Sequence, residues 1–481
     1  MGSSDSFGEK TWFPFRSKEE LNDAHMHTHF EDTLTADDVK RHIVHSFNVP
    51  PGSSQLDVRL HFSPSRVDRA ENMLCLTLFD PDGFRGAGHR GGDTHEVHIS
   101  AARATPGYWP GPLPPGLWTV EIDTHMIGPG APCRCQLDVA IADGADGSTE
   151  STHSGSAPSL VPPIANVARP GAGWHRGDLH THTVHSDGDW DVAGLVETAR
   201  VCGLDFVALT DHNTVTGLPE MDRASSADLL TIAGVELTTF WGHALCLGTR
   251  RWIDWRTRQD GRTMPDVVRE ASDNGHLFVI SHPCSIGDPV CTGCDWRYPD
   301  VMPGPARIVE VWNGPWGGEN NQERALALWY EWLNQGYRMV ATGGSDAHAP
   351  AHYPGWLVNN VVHADALSEG AILGAIESGH LYLSVGPHLV LTAQDGQDQR
   401  AMMGDALPAG KATMTIEWDR CPAGALVRIV VDGEPLREWR AGSRGERIWS
   451  LAAGEARWCV VEMRDEDGQM LALTNPIFFS R

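Results

Sequence analysis

No stretch of this 481-residue chain approaches the roughly 18 uninterrupted apolar residues of a membrane span, so none is expected. Residues 1–16 are polar and aromatic and lack the apolar core of a secretory leader, which reads as a cytoplasmic protein. Positive charge is scarce: 37 Lys and Arg stand against 63 Asp and Glu, a formal net charge of −26. A broad nucleic-acid or anionic-membrane interface is therefore disfavoured. A small phosphorylated substrate is still compatible, because bound cations invert the local field inside an acidic protein. Cysteine is sparse, at ten residues, and Cys75, Cys202, Cys246 and Cys459 sit in apolar runs where the thiol packs as a small hydrophobe. Disulfides are not required. Cys291-Thr292-Gly293-Cys294 has no second pair of the kind a structural zinc site needs and reads as free thiols in a loop, with zinc binding and a redox or disulfide role as the alternatives.

What is present is globular: 41% hydrophobic and 21% charged residues, in a length that suits two to four domains at ~100 to 200 residues each. In residues 1–142 short apolar or alternating runs (56–62, 74–79, 117–122, 137–141) are separated by turns such as Asp80-Pro81-Asp82-Gly83, a β-sandwich pattern. Residues 143–172 are rich in Gly, Ser, Ala and Pro and read as a linker. From 173 to 387 strand-like runs (204–210, 229–235, 276–281, 308–311, 337–342) alternate with helical spacing, as in Val192, Leu195, Val196 and Ala199 before Gly203. That alternation implies βα units around a parallel sheet or barrel. Residues 388–481 return to strands alone, a third domain.

Metal-ligand residue types recur at one structural place, just after a strand. His180-Thr181-His182, Asp211-His212, Glu236, His282 and Asp346-Ala347-His348 all occupy such positions. C-terminal strand ends of a β/α barrel face one rim, so these residues converge although they span more than 160 positions. Two histidines at i and i+2 can turn to one cation and a carboxylate can bridge two, which makes Glu236 the natural bridge. A second His-x-His run, His25-Met26-His27-Thr28-His29, lacks such partners and reads as a solvated turn with at most adventitious metal binding.

Those motifs, with Ser186-Asp187-Gly188, Thr210-Asp211-His212-Asn213, Gly234-Val235-Glu236, Ser281-His282-Pro283 and Gly344-Ser345-Asp346-Ala347-His348, resemble the ordered motifs of the PHP (polymerase and histidinol phosphatase) superfamily. Within it the chain resembles the CehA/McbA-type metallohydrolases. The resemblance implies an α/β fold, a distorted (β/α)7 barrel flanked by N- and C-terminal β-sandwich-like domains, with two or three Mn, Fe or Zn ions. It implies that His180, His182, Glu236 and Asp346 hold the first ion, Asp187, His212 and His348 another, and Glu236 with His282 the remaining one. His243, at the start of a strand, reads equally as a ligand or as a packing neighbour. Asp187 stands where some relatives carry histidine, which bears on whether a third ion is held.

Such ions generate hydroxide at neutral pH, so no serine or cysteine nucleophile is needed. Glu236, Asp346 and Asp211 are the expected catalytic carboxylates; Asp178 and Asp211 read either as hydrogen-bond partners of ligand histidines or as loop caps. Arg297, Trp241, Trp312 and Asn313 are the expected substrate contacts. The tryptophans read otherwise as packing, and Arg297 as a surface ion pair. The expected function is hydrolysis of a small phosphate ester. A carbamate, carboxyl ester or amide is the alternative, and a non-catalytic binding module the second.

Overall fold

The computed structural model describes residues 26–143, 167–318, 320–353, 357–408, 410–452 and 456–480, and the chain forms two compact units, Met1–Ser159 and Leu160–Arg481. No helix among the described residues is long and apolar enough to cross a membrane.

In the first unit two four-stranded antiparallel sheets share one apolar core. One runs Met26–Leu34, Cys133–Asp143, Ser53–Ser63, Thr94–Ser100; the other runs His42–Val49, Gly116–Met126, Met73–Asp80, Gly83–Gly88. Thr94–Ser100 alternates strictly between buried and half-buried positions, so Val97 and Ile99 enter the core with Leu56, Leu60, Leu76 and Ile122, as period-two burial requires. The expected turn at His27 and His29 is instead the start of the strand Met26–Leu34.

The second unit is built on a long mixed sheet. Its elements are β1 (Val167–Asp178), α1 (Val192–Val201), β2 (Phe206–Leu209), α2 (Leu218–Ala224), β3 (Leu230–Thr239), β4 (Gly242–Leu247), α3 (Met264–Asp273), β5 (Leu277–Ile280), β6 (Ile308–Asn313), α4 (Gln322–Asn334), β7 (Val340–Gly344), β8 (Asn359–Ser368), α5 (Glu369–Glu377) and β9 (Leu381–Ser384). The sheet order is β7-β6-β5-β4-β3-β2-β1-β8-β9, continuing through Met470–Thr474, Trp458–Arg464, Leu426–Val431 and Glu434–Arg440. The helix α1 forms where the spacing places it, whereas α2 (Leu218–Ala224) had no expected counterpart. In α1 Val192, Leu195, Val196 and Ala199 are buried, Asp191 caps the first turn, and the chain leaves through Gly203 at φ 68°.

β1/β2, β2/β3, β5/β6 and β6/β7 are parallel, and Phe206–Leu209 and Leu277–Ile280 are wholly buried apolar runs, as strands covered on both faces must be. β4 breaks the simple alternation, running antiparallel to both β3 and β5. The β7 edge returns to β1 and β8: Thr181 bridges Ala347, and Asn360 accepts from Gly343 N at 3.0 Å while donating to Gly343 O at 2.6 Å. Asn475 does the same for Ala341, at 2.8 and 2.9 Å. These amides replace a strand ladder where the backbones do not pair.

Two expected boundaries look different in three dimensions. Residues 144–166 of the expected linker lie outside the described residues, whereas 167–172 are already strand, pairing with β8. Strands after 388 continue the central sheet through β9, and one apolar cluster joins Val361 and Tyr382 to Leu389, Ile416 and Val461.

Candidate metal centre

The parallel strands deliver their C-terminal ends to one rim. Past β1 come His180 and His182, past β2 His212, past β5 His282, and past β7 Asp346 and His348. Glu236 lies within β3. The β3–β4 hairpin sets His243 opposite Thr238, so a residue that begins its strand reaches the rim where the others end theirs. Tight turns make room: a Cβ on Gly344 would lie 2.3 Å from Glu310 Oε1 and 2.4 Å from His180 Cβ, and one on Gly188 would lie 2.7 Å from His182 O. Three non-glycine residues at positive φ cluster here, Asn213 (56°), His282 (27°) and Asp346 (54°), a strain of ~1 to 3 kcal/mol each that the surrounding structure must hold.

Glu236 is fully buried and faces five imidazoles. Its Oε2 lies 3.3 Å from His180 Nε2, 3.5 Å from His182 Nε2 and 2.9 Å from His212 Nδ1; its Oε1 lies 3.3 Å from His243 Nδ1 and 3.2 Å from His282 Nε2. Asp346 Oδ1 approaches His182 Nε2 at 2.9 Å and His180 Nε2 at 3.4 Å. Asp187 Oδ1 lies 3.3 Å from His348 Nε2 and 3.5 Å from His212 Nε2. Three sets of donor atoms each fall within 4.8 Å of one another: His180, Glu236 and His282; His180, His182 and Asp346; and His182, Asp187, His212 and His348. His182 thus joins two sets.

The donor set fits divalent cations. Buried His180 Nε2, Glu236 Oε2 and Asp187 Oδ1 make no well-directed hydrogen bond to the nitrogens and oxygens that crowd them, a costly state for polar atoms unless an ion takes their lone pairs. Imidazole nitrogen with carboxylate oxygen and no sulfur is a donor set that divalent cations take.

Further contacts fix the histidines. Glu310 was missed in the sequence, although a lone carboxylate in the apolar strand Ile308–Asn313 was its signal. Its Oε1 lies 3.1 Å from His180 Nδ1, and its Oε2 accepts from His282 N at 3.1 Å and from Asn313 Nδ2 at 2.9 Å. Thr292 O lies 3.2 Å from His243 Nε2, and Cys294 O 3.3 Å from His282 Nδ1. The loop after β5 therefore orients two rim histidines, and Cys291 and Cys294 within it form a disulfide rather than the expected free thiols.

Several expected site residues stand elsewhere. Asp211 accepts from Thr183 N, Thr183 Oγ1 and Ser186 Oγ, each at 2.7 Å, and so fastens the turn that carries Asp187 rather than facing the cluster. Asp178 likewise binds the amides of His180 and Ser345 and the hydroxyl of Tyr353; burial raises its carboxyl to about 6 against those hydrogen bonds. Trp312 is sealed at 0% exposure and donates to Gly314 O, and Asn313, also buried, links Glu310 to Asp346. Neither offers a surface to substrate. Arg297 is exposed and tied to Asp295 at 2.8 Å and Asp288 at 3.5 Å. Trp241, in the β3–β4 turn, is half-buried with the Arg258 guanidinium 4.6 Å above its ring; Arg258 had no sequence signal.

The cluster's electrostatics oppose burial. Burial depresses the His180 and His212 imidazoles, but the Asp346, Glu310 and Glu236 carboxylates around His180, and Asp187 and Glu236 around His212, hold both well above the ordinary value. Burial, reinforced by His212 and His348, lowers His182 to about 4. Burial would raise the Glu236 carboxyl, yet His180 and His212 hold it well below the usual range.

Residues 178–281 match the family model of the PHP domain. An uncharacterized protein of Methanocaldococcus jannaschii is 32% identical over 116 residues, 24% of this chain and 49% of that protein. A 5'-3' exoribonuclease of Haemophilus influenzae is 38% identical over 65 residues, 13% of this chain and 24% of the enzyme. The chain thus spans about half the length of the first relative and about a quarter of the second. Among solved structures, a two-domain protein of Bacteroides vulgatus containing a predicted PHP-like metal-dependent phosphoesterase aligns over 63% of this chain and 95% of its own, at 16% identity and TM-score 0.38. An amidohydrolase of Chromobacterium violaceum aligns over 36% and 88%, at 18% identity and TM-score 0.28.

Proposed function

We propose that the protein is a metal-dependent hydrolase with a di- or trinuclear centre, acting on a small phosphate ester, and that its central sheet is the distorted (β/α)7 barrel of the CehA/McbA-type enzymes. The observation that carries this is Glu236, buried among five imidazoles with two more carboxylates beside them. His180, His182, Glu236 and Asp346 would hold one ion, Asp187, His212 and His348 a second, and Glu236, His243 and His282 a third. Such cations activate water at neutral pH and neutralise charge developing on the scissile group. Glu236 spans the ligand sets, Asp346 and Asp187 supply the negative charge that admits cations to a buried place, and Glu310 keeps His180 turned inward. The PHP segment shared with an exoribonuclease supports a phosphate ester. The net charge of −26 favours a small one over a long nucleic acid.

One observation favours a carbamate or carboxyl ester instead. Arg297, an expected substrate contact, is exposed and already paired with Asp295 and Asp288, while Trp241 offers an aromatic surface in the β3–β4 turn. A chromogenic phosphodiester and an aryl ester or carbamate, each assayed with Mn or Zn, separate the readings: turnover of the phosphodiester is expected, and turnover of the aryl ester or carbamate alone would overturn the phosphate assignment. Glu236→Gln is expected to abolish turnover with the fold kept; unchanged turnover would refute its bridging role.

A further inference from the structure

In the second sheet of the first unit, the C-terminal half of the strand Gly116–Met126 is buried on both faces. Val120 and Ile122 of Gly116–Met126 enter the apolar core, so the alternate residues Glu121, Asp123 and His125 occupy the other face, and they too are buried, at 4%, 1% and 1% exposure. Asp123 pairs with His42 on one side and Cys75 on the other. The register to Met73–Asp80 shifts from Leu74↔Thr124 to Met73↔Met126, which leaves His125 as the extra residue of a bulge, a device that re-aims a side chain. His89 follows Gly88, the partner of Leu76, and so arrives beside Cys75.

The outcome is a compact donor set. One ligand atom from each of Cys75, His89 and His125 lies within 4.8 Å of the others, with all three residues buried. Cys75 Sγ is 3.6 Å from His89 Nδ1, and the two imidazole rings meet edge-on at 4.6 Å. Asp123 stands alongside, holding Thr77 Oγ1 at 2.6 Å, and Glu121 Oε2 lies 3.9 Å from His42 Nδ1.

We propose that Cys75, His89 and His125 form a second metal site, independent of the rim centre, for a zinc-type ion. One thiolate and two imidazoles are the donors that such an ion takes, and a fourth position remains for water. The rim centre has no sulfur, so the two sites select by different chemistry. On binding, Cys75 gives its thiol proton to solvent and the resulting S–metal bond joins the strands Met73–Asp80 and Gly116–Met126 to the segment after Gly83–Gly88.

The test uses sulfur as the reporter. The full chain, purified without a metal-affinity tag, stripped of metal and reconstituted with Co(II), is expected to show thiolate-to-cobalt charge-transfer absorption in the near ultraviolet. The band should vanish in Cys75→Ser and persist in Glu236→Gln, whose loss belongs to the rim. His89→Gln keeps the thiol and should weaken cobalt retention at this band about tenfold or more, which covers the case of a Cys75→Ser chain that does not fold. No band in the natural chain, or a band unchanged in Cys75→Ser or in His89→Gln, would overturn the site.

Discussion

His27 and His29 lie two residues apart on the strand Met26–Leu34, and His180 and His182 lie two residues apart just past β1. The first pair is exposed and shares Asp138, at 3.0 and 2.8 Å, with Glu31 a further 3.3 Å from His29. Those contacts raise the His29 imidazole above its ordinary value. The second pair is fully buried, ringed by Glu236, Asp346 and Glu310 and by three further histidine side chains. Spacing is identical in the two cases; the environment supplies the chemistry. A His-x-His pair becomes a candidate metal site when other strand ends bring carboxylates to it and water is excluded.

Removing one member of each pair sharpens that contrast. His180→Ala in metal-free protein leaves Glu310 as a buried carboxylate without its imidazole, a loss of ~3 to 5 kcal/mol read from urea unfolding; a loss under ~1 kcal/mol would mean the cluster is less closed than its burial indicates. Glu310→Gln should weaken metal affinity by about 10- to 100-fold, measured by competition with a chromogenic chelator, because Glu310 orients His180 without facing the ions. An unchanged affinity would remove Glu310 from the positioning role.

Protonation offers a finer comparison. His180, His212 and His348 hold protons more tightly than ordinary imidazoles in the metal-free state, His348 to about 9, where burial opposes but Asp187 prevails. A metal must displace those protons, so affinity should rise with pH, His348 contributing up to about 9. Calorimetry in buffers of different ionisation enthalpy should show proton release. Release of none would contradict these directions. The smallest effect belongs to the exposed pair: His27→Ala with His29→Ala should leave metal per chain unchanged and shift stability within ~0.5 kcal/mol per site. A lost metal equivalent would make that strand a binding site and break the contrast.

Much of the centre was legible because strand ends announce themselves: an apolar run such as Phe206–Leu209 followed by Asp-His states both the element and the rim residue. Glu310 escaped notice because it sits inside β6, where a carboxylate is informative only once Asn313 and His180 are known to surround it. Trp312 was misassigned for the converse reason. The strand runs on to Asn313, so its ring turns into the core instead of standing beyond the strand end.

Periodicity and local punctuation by themselves determined most helices, most strands and the order of the ligand motifs, because burial of one face imposes a period and caps are local. Only the tertiary structure decided the rest. The antiparallel turn at β4 brought His243 to the rim, Asp211 was spent on Thr183 and Ser186, the C-terminal strands joined the central sheet, and Cys75 met His89 and His125. Each of these depends on which strands become neighbours, a property of the whole chain's packing that no local window contains.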